Sequence, residues 1–264
     1  MIDKKTVSEL KNWSEKYVKT FRSANPEDQK NIELKEDHTR RVCKEILDIG
    51  KTLCLNEEDI YLAEVIALFH DIGRYEQYAH YRTFSDFRSE DHAMLGVKVL
   101  CETGILSNID QSTRELILRT IGYHNRAEIP QNETQRCIFF TKLLRDADKL
   151  DIWRVVTDYY SQSDELRNEI IELGLPDTPE ISDEVCAQLV EKRIVKMSSL
   201  KTLNDFKLLQ MGWIYDINFP RTFQLIRERG YLEKIRDALP QSEKVLNIYS
   251  GVESYLEKHC CYNE

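Results

Sequence analysis

From Ile60 to Phe69 the chain is uncharged except at Glu64, and this run closes on the dipeptide His70-Asp71. A helix built from it has no polar face to offer water, so it must lie inside the fold with other elements around it. Asn56 is placed as its N-cap, with Glu57, Glu58 and Asp59 in the first turn, and Gly73 is placed to break it just past Asp71. Two metal-capable side chains therefore stand at the end of a buried helix. Successive helical residues point about 100° apart, so the pair can flank one cation, which the negative end of the helix dipole favours.

The rest of the chain reads as helix too. Nine glycines and six prolines leave few breaks, and no strand alternation, repeat or low-complexity tract interrupts the pattern, so the expected class is all-α. Val7, Leu10, Tyr17 and Phe21 give a first amphipathic helix, which Asn25-Pro26 is expected to end. Val42, Ile46, Ile49 and Leu53 form a stripe that also carries His38, one turn before Val42. The stretch from Arg74 to Arg88 reads as a loop, with Tyr75, Tyr78, Tyr81, Phe84 and Phe87 beside Arg74, Arg82 and Arg88, a mixture suited to lining a pocket. Ser89 then reads as an N-cap, with His92 in the first turn on the face of Leu95, Gly96, Val99 and Leu100. Ser112 and Glu115 suggest a capping box, after which Ile117 and Ile121 lead to His124. Phe140, Leu144 and Ala147 share a face with Asp148 and Asp151, while Asp146 lies off it. An aspartate on an apolar face needs a partner, because a bare buried carboxylate is very costly.

Past residue 163 the pattern stays helical but holds no histidine until His259. Leu175-Pro176-Asp177-Thr178-Pro179 marks a loop, and Phe206, Leu209, Trp213 and Ile217 make a packing stripe, to which Trp213 and Tyr215 are assigned rather than to a pocket. The expected organisation is an N-terminal helix over 1–28, a metal-binding core over 29–162 and a helical extension packing on it over 163–264.

A chain of 264 residues buries roughly three quarters of its unfolded surface, enough for a core without staples. A formal charge of -9 argues against an extended nucleic acid as partner. It leaves room for a small phosphorylated substrate, since a metal ion and a few arginines can invert the local potential. The first residues lack the apolar stretch of a signal peptide, and no run approaches the ~18 apolar residues of a membrane span, so a cytoplasmic location away from membranes is expected. Seven cysteines, odd in number and without a C-x-x-C pair, suit reduced thiols with packing roles, Cys260 and Cys261 being expected in an exposed tail.

The histidines decide the chemistry. Of the six, His38, His70, His92 and His124 fall on core-facing or helix-end positions, as do Asp71 and Asp148, whereas His80 and His259 stand outside the pattern. Imidazole and carboxylate donors from separate helices suit Mn, Fe, Co, Ni, Zn or Mg, and the absence of cysteine disfavours a structural thiolate zinc site. Asp146 is the runner-up to Asp148.

The order His38 with Thr39-Arg40-Arg41-Val42, His70-Asp71-Ile72-Gly73-Arg74, His92, His124, and Asp148 within Arg145-Asp146-Ala147-Asp148-Lys149-Leu150-Asp151 resembles the HD superfamily of metal-dependent phosphohydrolases over about residues 30 to 160. The resemblance implies an HD-domain-like helical bundle in which His38, His70, Asp71 and Asp148 surround one ion. It also implies that His92 and His124 serve a second ion, bridged to the first by Asp71. Many members carry Lys where this chain has Arg74, and no second histidine stands beside His124 as it does in the cyclic-dinucleotide phosphodiesterase branch.

Both readings imply hydrolysis of a phosphate ester of a nucleotide or similar small metabolite by a metal-activated water. Asp71 and Arg74 are then the catalytic candidates, with Arg74 as a bidentate phosphate clamp, Arg41 and Lys149 as further phosphate contacts, and Asp151 as hydrogen-bond partner of a ligand histidine. The alternatives are a binuclear-iron oxygenase of the same superfamily and a non-catalytic, metal-stabilised binding module.

Overall fold

A computed structural model describes residues 2–161 and 170–260; Cys261 and the expected boundary at 162/163 lie outside them. Among the described residues there is no strand, and the class is all-α, as expected. The chain divides into two compact units, Met1–Asp151 and Ile152–Glu264. Among the described residues no helix is long and apolar enough to cross a membrane.

The first unit holds α1 (Lys4–Lys19), α2 (Pro26–Thr52), α3 (Glu57–Phe69), α4 (Gly73–Tyr81), α5 (His92–Thr103), α6 (Gln111–Tyr123) and most of α7 (Gln135–Tyr160). The apolar run is α3, with α1, α2 and α6 packed against it and Leu62, Ala63, Val65, Ile66, Ala67 and Phe69 buried. Its lone charge, Glu64, meets Lys11 of α1. Asn56 caps α3 as expected, Oδ1 accepting from the Asp59 amide at 2.9 Å.

Several local expectations are corrected. Asn25-Pro26 does not end α1, which stops at Lys19. Asn25 instead caps α2, accepting from the Glu27 and Asp28 amides at 2.9 and 3.2 Å, with Pro26 in the first turn, where a missing N–H costs nothing. The N-caps of α5 and α6 are Asp91 and Asp110, not Ser89 and Ser112; Asp91 lies two residues after Ser89, and Asp110 two residues before Ser112, which falls inside α6. The front of the expected loop, Arg74 to Tyr81, lies in α4, which begins at Gly73. Gly73 does not follow α3 as a breaker but opens α4, where a Cβ would overlap the His92 carbonyl oxygen and the Gly96 amide of α5. Only glycine allows that approach. Cys43, Cys137 and Cys186 are buried, Cys54 and Cys101 are exposed, and Cys260 is buried on the last helix rather than in an exposed tail.

The second unit begins inside α7 and continues through α8 (Asp183–Val190), α9 (Leu203–Gly212), α10 (Pro220–Arg229), α11 (Tyr231–Asp237) and α12 (Glu243–Cys260). Trp153 is fully buried, donates Nε1–H to the Gln210 carbonyl at 2.9 Å and lies against the rings of Trp213 and Tyr231. Tyr215 packs on Tyr255, so both aromatics assigned to packing make ring contacts within this unit, each half-buried.

Candidate metal centre

Three helices and the turn that closes α3 bring the histidines together in the first unit. His38 comes from the middle of α2, His70 and Asp71 from the turn closing α3, His92 from the start of α5, and His124 from the end of α6. All five are buried. The Nε2 atoms of His38 and His70 stand 3.2 Å apart, and those of His92 and His124 stand 3.1 Å apart. Asp71 lies between the two pairs. Its Oδ2 is 3.5 Å from His38 and 3.7 Å from His70, and its Oδ1 is 3.3 Å from His92 and 4.0 Å from His124. Asp148 joins the first pair through Oδ1, at 3.1 Å from His38 and 3.6 Å from His70.

The other face of each ring fixes its proton. Nδ1–H donates from His38 to Asp151 at 2.7 Å, from His92 to Asp86 at 2.7 Å, from His70 to the Ala67 carbonyl at 2.8 Å, and from His124 to the Ile121 carbonyl at 2.7 Å. A carboxylate or carbonyl oxygen only accepts, so in each ring Nδ1 carries a hydrogen and Nε2 is the nitrogen turned inward. Two bare lone pairs facing each other at about 3 Å repel unless a proton or cation sits between them. Two nitrogens bound to one ion at about 2.1 Å stand roughly 3.0–3.4 Å apart, so the spacing fits a shared divalent ion. The donor set forms two trios, His38, His70 and Asp71, then Asp71, His92 and His124, whose ligand atoms are close enough to hold an ion each.

The electrostatics follow from burial and neighbours. Burial raises the Asp71 carboxyl, but Lys35, His70, Arg74 and His92 outweigh it and hold the group well below the usual carboxylate range. Burial likewise opposes ionisation of Asp148, and hydrogen bonds from His38 and His70 prevail, so it too stays ionised. Burial, with Lys35, disfavours the His38 imidazolium, yet Asp148 and Asp151 more than compensate and raise its pKa to about 9. His124 is driven the other way, to about 3, by burial and by the neighbouring His92 and His70.

The remaining candidates are placed as follows. Asp151 is buried and holds both His38 and Arg41, whose Nη2 donates at 3.0 Å and whose Nε donates to the other carboxylate oxygen. Arg74 spends Nη1 on Gln77, the Phe84 carbonyl and Asp86, at 2.7, 2.6 and 2.9 Å, with Nε 3.5 Å from Asp71 Oδ1. Lys149 is buried next to Asp148 on α7, and Asp146, set off the apolar face by the sequence, is fully buried as well. His80 and His259 stand outside the cluster.

Two participants escaped the sequence reading. Lys35 donates to Asp71 Oδ2 at 2.8 Å; its position one turn before His38, on the same stripe, was the available signal. Asp86, from a short 3-10 turn, carried no periodic signal at all. The cluster reaches water at one edge, where the side chains of Lys35, Asp148 and Arg41 are 16%, 17% and 22% exposed, against 5% or less for the four imidazoles and Asp71.

Residues 36–153 match the family model described as HD domain. No curated protein and no solved structure matches the chain.

Proposed function

We propose that this chain, whose residues 36–153 match the HD domain family, is a metal-dependent phosphohydrolase that hydrolyses a phosphate ester of a nucleotide or similar small metabolite. One observation carries the reading: four imidazoles, each with its Nδ1 proton tied to an outer acceptor, turn their Nε2 atoms in two pairs toward the two oxygens of Asp71. His38, His70, Asp71 and Asp148 would hold one divalent ion, and Asp71, His92 and His124 a second; such ions would supply Lewis acidity and lower the pKa of a bound water enough to furnish hydroxide near neutral pH.

The chain's own residues do the rest. Asp151 and Asp86 keep His38 and His92 in the tautomer that offers Nε2, which raises their basicity as ligands. Asp71 remains ionised and balances positive charge from both sides. Lys35 and Arg41 stand at the exposed edge, where substrate oxygens approach, and in this reading their cations meet the phosphoryl group. Arg74, turned toward the carboxylates of Asp71 and Asp86, holds them rather than the substrate.

The test is metal quantification of the purified protein followed by a panel of nucleotides and phosphomonoesters with phosphate detection. Phosphate release that disappears in Asp71→Ala supports the proposal. Oxygen consumption without phosphate release, or turnover unchanged in Asp71→Ala, overturns it.

A further inference from the structure

We propose that Asp86 is the positioning residue of the trio Asp71, His92 and His124, so that retention of an ion there depends on the turn Asp86–Arg88, while the trio of His38, His70 and Asp71 does not. The inference rests on the reading of the cluster as a metal centre.

The four imidazoles are supported unequally. His70 and His124 donate to carbonyls three residues earlier in their own chains, and His38 donates to Asp151, which is fixed within α7 and by Arg41. His92 alone among the four depends on a side chain from outside the longer helices. Asp86 receives its Nδ1–H at 2.7 Å through Oδ2 and 2.9 Å through Oδ1. The Asp86 side chain is a third exposed, far more open than Asp151, which is fully enclosed.

What holds Asp86 in place is a polar network rooted in α4. Its Oδ1 accepts from Arg74 Nη1 and from Gln77 Nε2, both at 2.9 Å, and its Oδ2 accepts from Asn125 Nδ2 at 3.2 Å. Gln77 is fully buried, and its amide also donates to Ser89 Oγ and the Glu90 carbonyl at 2.9 and 2.8 Å. Arg74 further ties down the Phe84 carbonyl. The segment from Phe84 to Glu90 is thus pinned to α4, the helix that begins two residues after Asp71, and through Asp86 it sets the angle of His92.

Asp86 is a supporting group and not itself a ligand. Although Asp86, Asp91 and His92 also offer atoms within reach of a common cation, the His92 nitrogen concerned carries the proton given to Asp86. The Asp91 Oδ1 atom is engaged with the amides of Ala93 and Met94 as the cap of α5.

The experiment is a Mn²⁺ titration of chelator-stripped full chain by calorimetry, with free ion counted by electron paramagnetic resonance. It is run on the wild type, Asp86→Asn, Asp86→Ala and Asp151→Asn. The wild type should take up two ions; both Asp86 variants should lose about 10–100-fold in affinity for one ion and keep the other. In metal-free protein the imidazole ¹⁵N spectrum of Asp86→Asn should change at His92 and leave His38 as it was, the reverse of Asp151→Asn. If Asp86→Ala fails to fold, Asp86→Asn, which keeps the shape of the side chain, decides. A two-ion wild type whose affinities fall equally, or not at all, in the Asp86 variants overturns this inference alone. A wild type that binds fewer than two ions overturns it too, and one that binds none removes the metal reading with it.

Discussion

Asp71→Asn is the substitution that asks most of the site. The change keeps the shape of the side chain and removes the one negative charge that faces both histidine pairs, at 3.3 to 4.0 Å from their Nε2 atoms. An ion present at a hundredfold excess over its Kd stabilises the folded state by about 2.7 kcal/mol, and in a unit of this size each kcal/mol moves the melting temperature by roughly 2–4 °C. Adding Mn²⁺ to the stripped wild type should therefore raise the melting temperature of the first unit by about 5–11 °C for each ion held. In Asp71→Asn that rise should vanish at the same metal concentration. The variant should also melt lower without metal, because Lys35, paired to Asp71 at 2.8 Å and only 16% exposed, loses its counter-charge. Differential scanning calorimetry with and without Mn²⁺ reads both effects, with His80→Ala as the control whose metal response stays intact. A full metal-induced rise in Asp71→Asn would refute the argument, since it would mean that the ion lies away from the bridging carboxylate.

Three further outcomes follow from the same geometry. Asp151→Asn, which weakens the acceptor that fixes His38, should lower metal affinity about 10–100-fold in competition with a chelator of known Kd; an unchanged affinity would detach Asp151 from the site. Gly73→Ala should destabilise the first unit by about 1–3 kcal/mol in urea titration, because a methyl there must displace the backbone of α5, and a loss within experimental error would contradict that contact. In metal-free protein His38 is raised from 6.5 to about 9, so its contribution is complete below pH 6.5 and is lost as pH rises through 9; His124, lowered from 6.5 to about 3, contributes above pH 6.5 and loses that contribution as pH falls toward 3. Denaturant midpoints of the stripped protein should accordingly peak near pH 6.5, and a midpoint still climbing at pH 9 would count against these assignments.

The parts of the site that the sequence revealed are those fixed by helical period. His38 sits on an apolar stripe, His92 shares a face with Val99, and Asp151 continues the face of Leu144, so their burial follows from spacing, whereas Asp148 on that face is partly exposed and Asp146 off it is fully buried. Asp151 as the partner of His38 was legible for the same reason. The misread parts depend on contacts between distant segments. The stretch over α4 reads as a loop because its aromatics and arginines follow no helical period, whereas Tyr75, Gln77 and Tyr78 are buried against neighbours that no local pattern records. Asp86 lies in a three-residue turn, too short for any period, and its importance comes from Arg74 and Gln77 converging on it. The carboxylates beside Arg74 escape the sequence for the same reason: Asp86 is separated from it along the chain, and Asp71 is brought to it by the turn that opens α4.

The backbone contact between Gly73 and Gly96 has a mechanical consequence. Where two helices cross on side chains, a rotamer change can absorb a small displacement; where they meet on bare main chain, there is no such slack. Asp71 stands two residues before one partner of that contact and His92 four residues before the other. Any tilt of α5 is therefore handed straight to the shared carboxylate, and the distance between the two halves of the cluster is gauged by the thickness of a peptide rather than by the fit of a side chain.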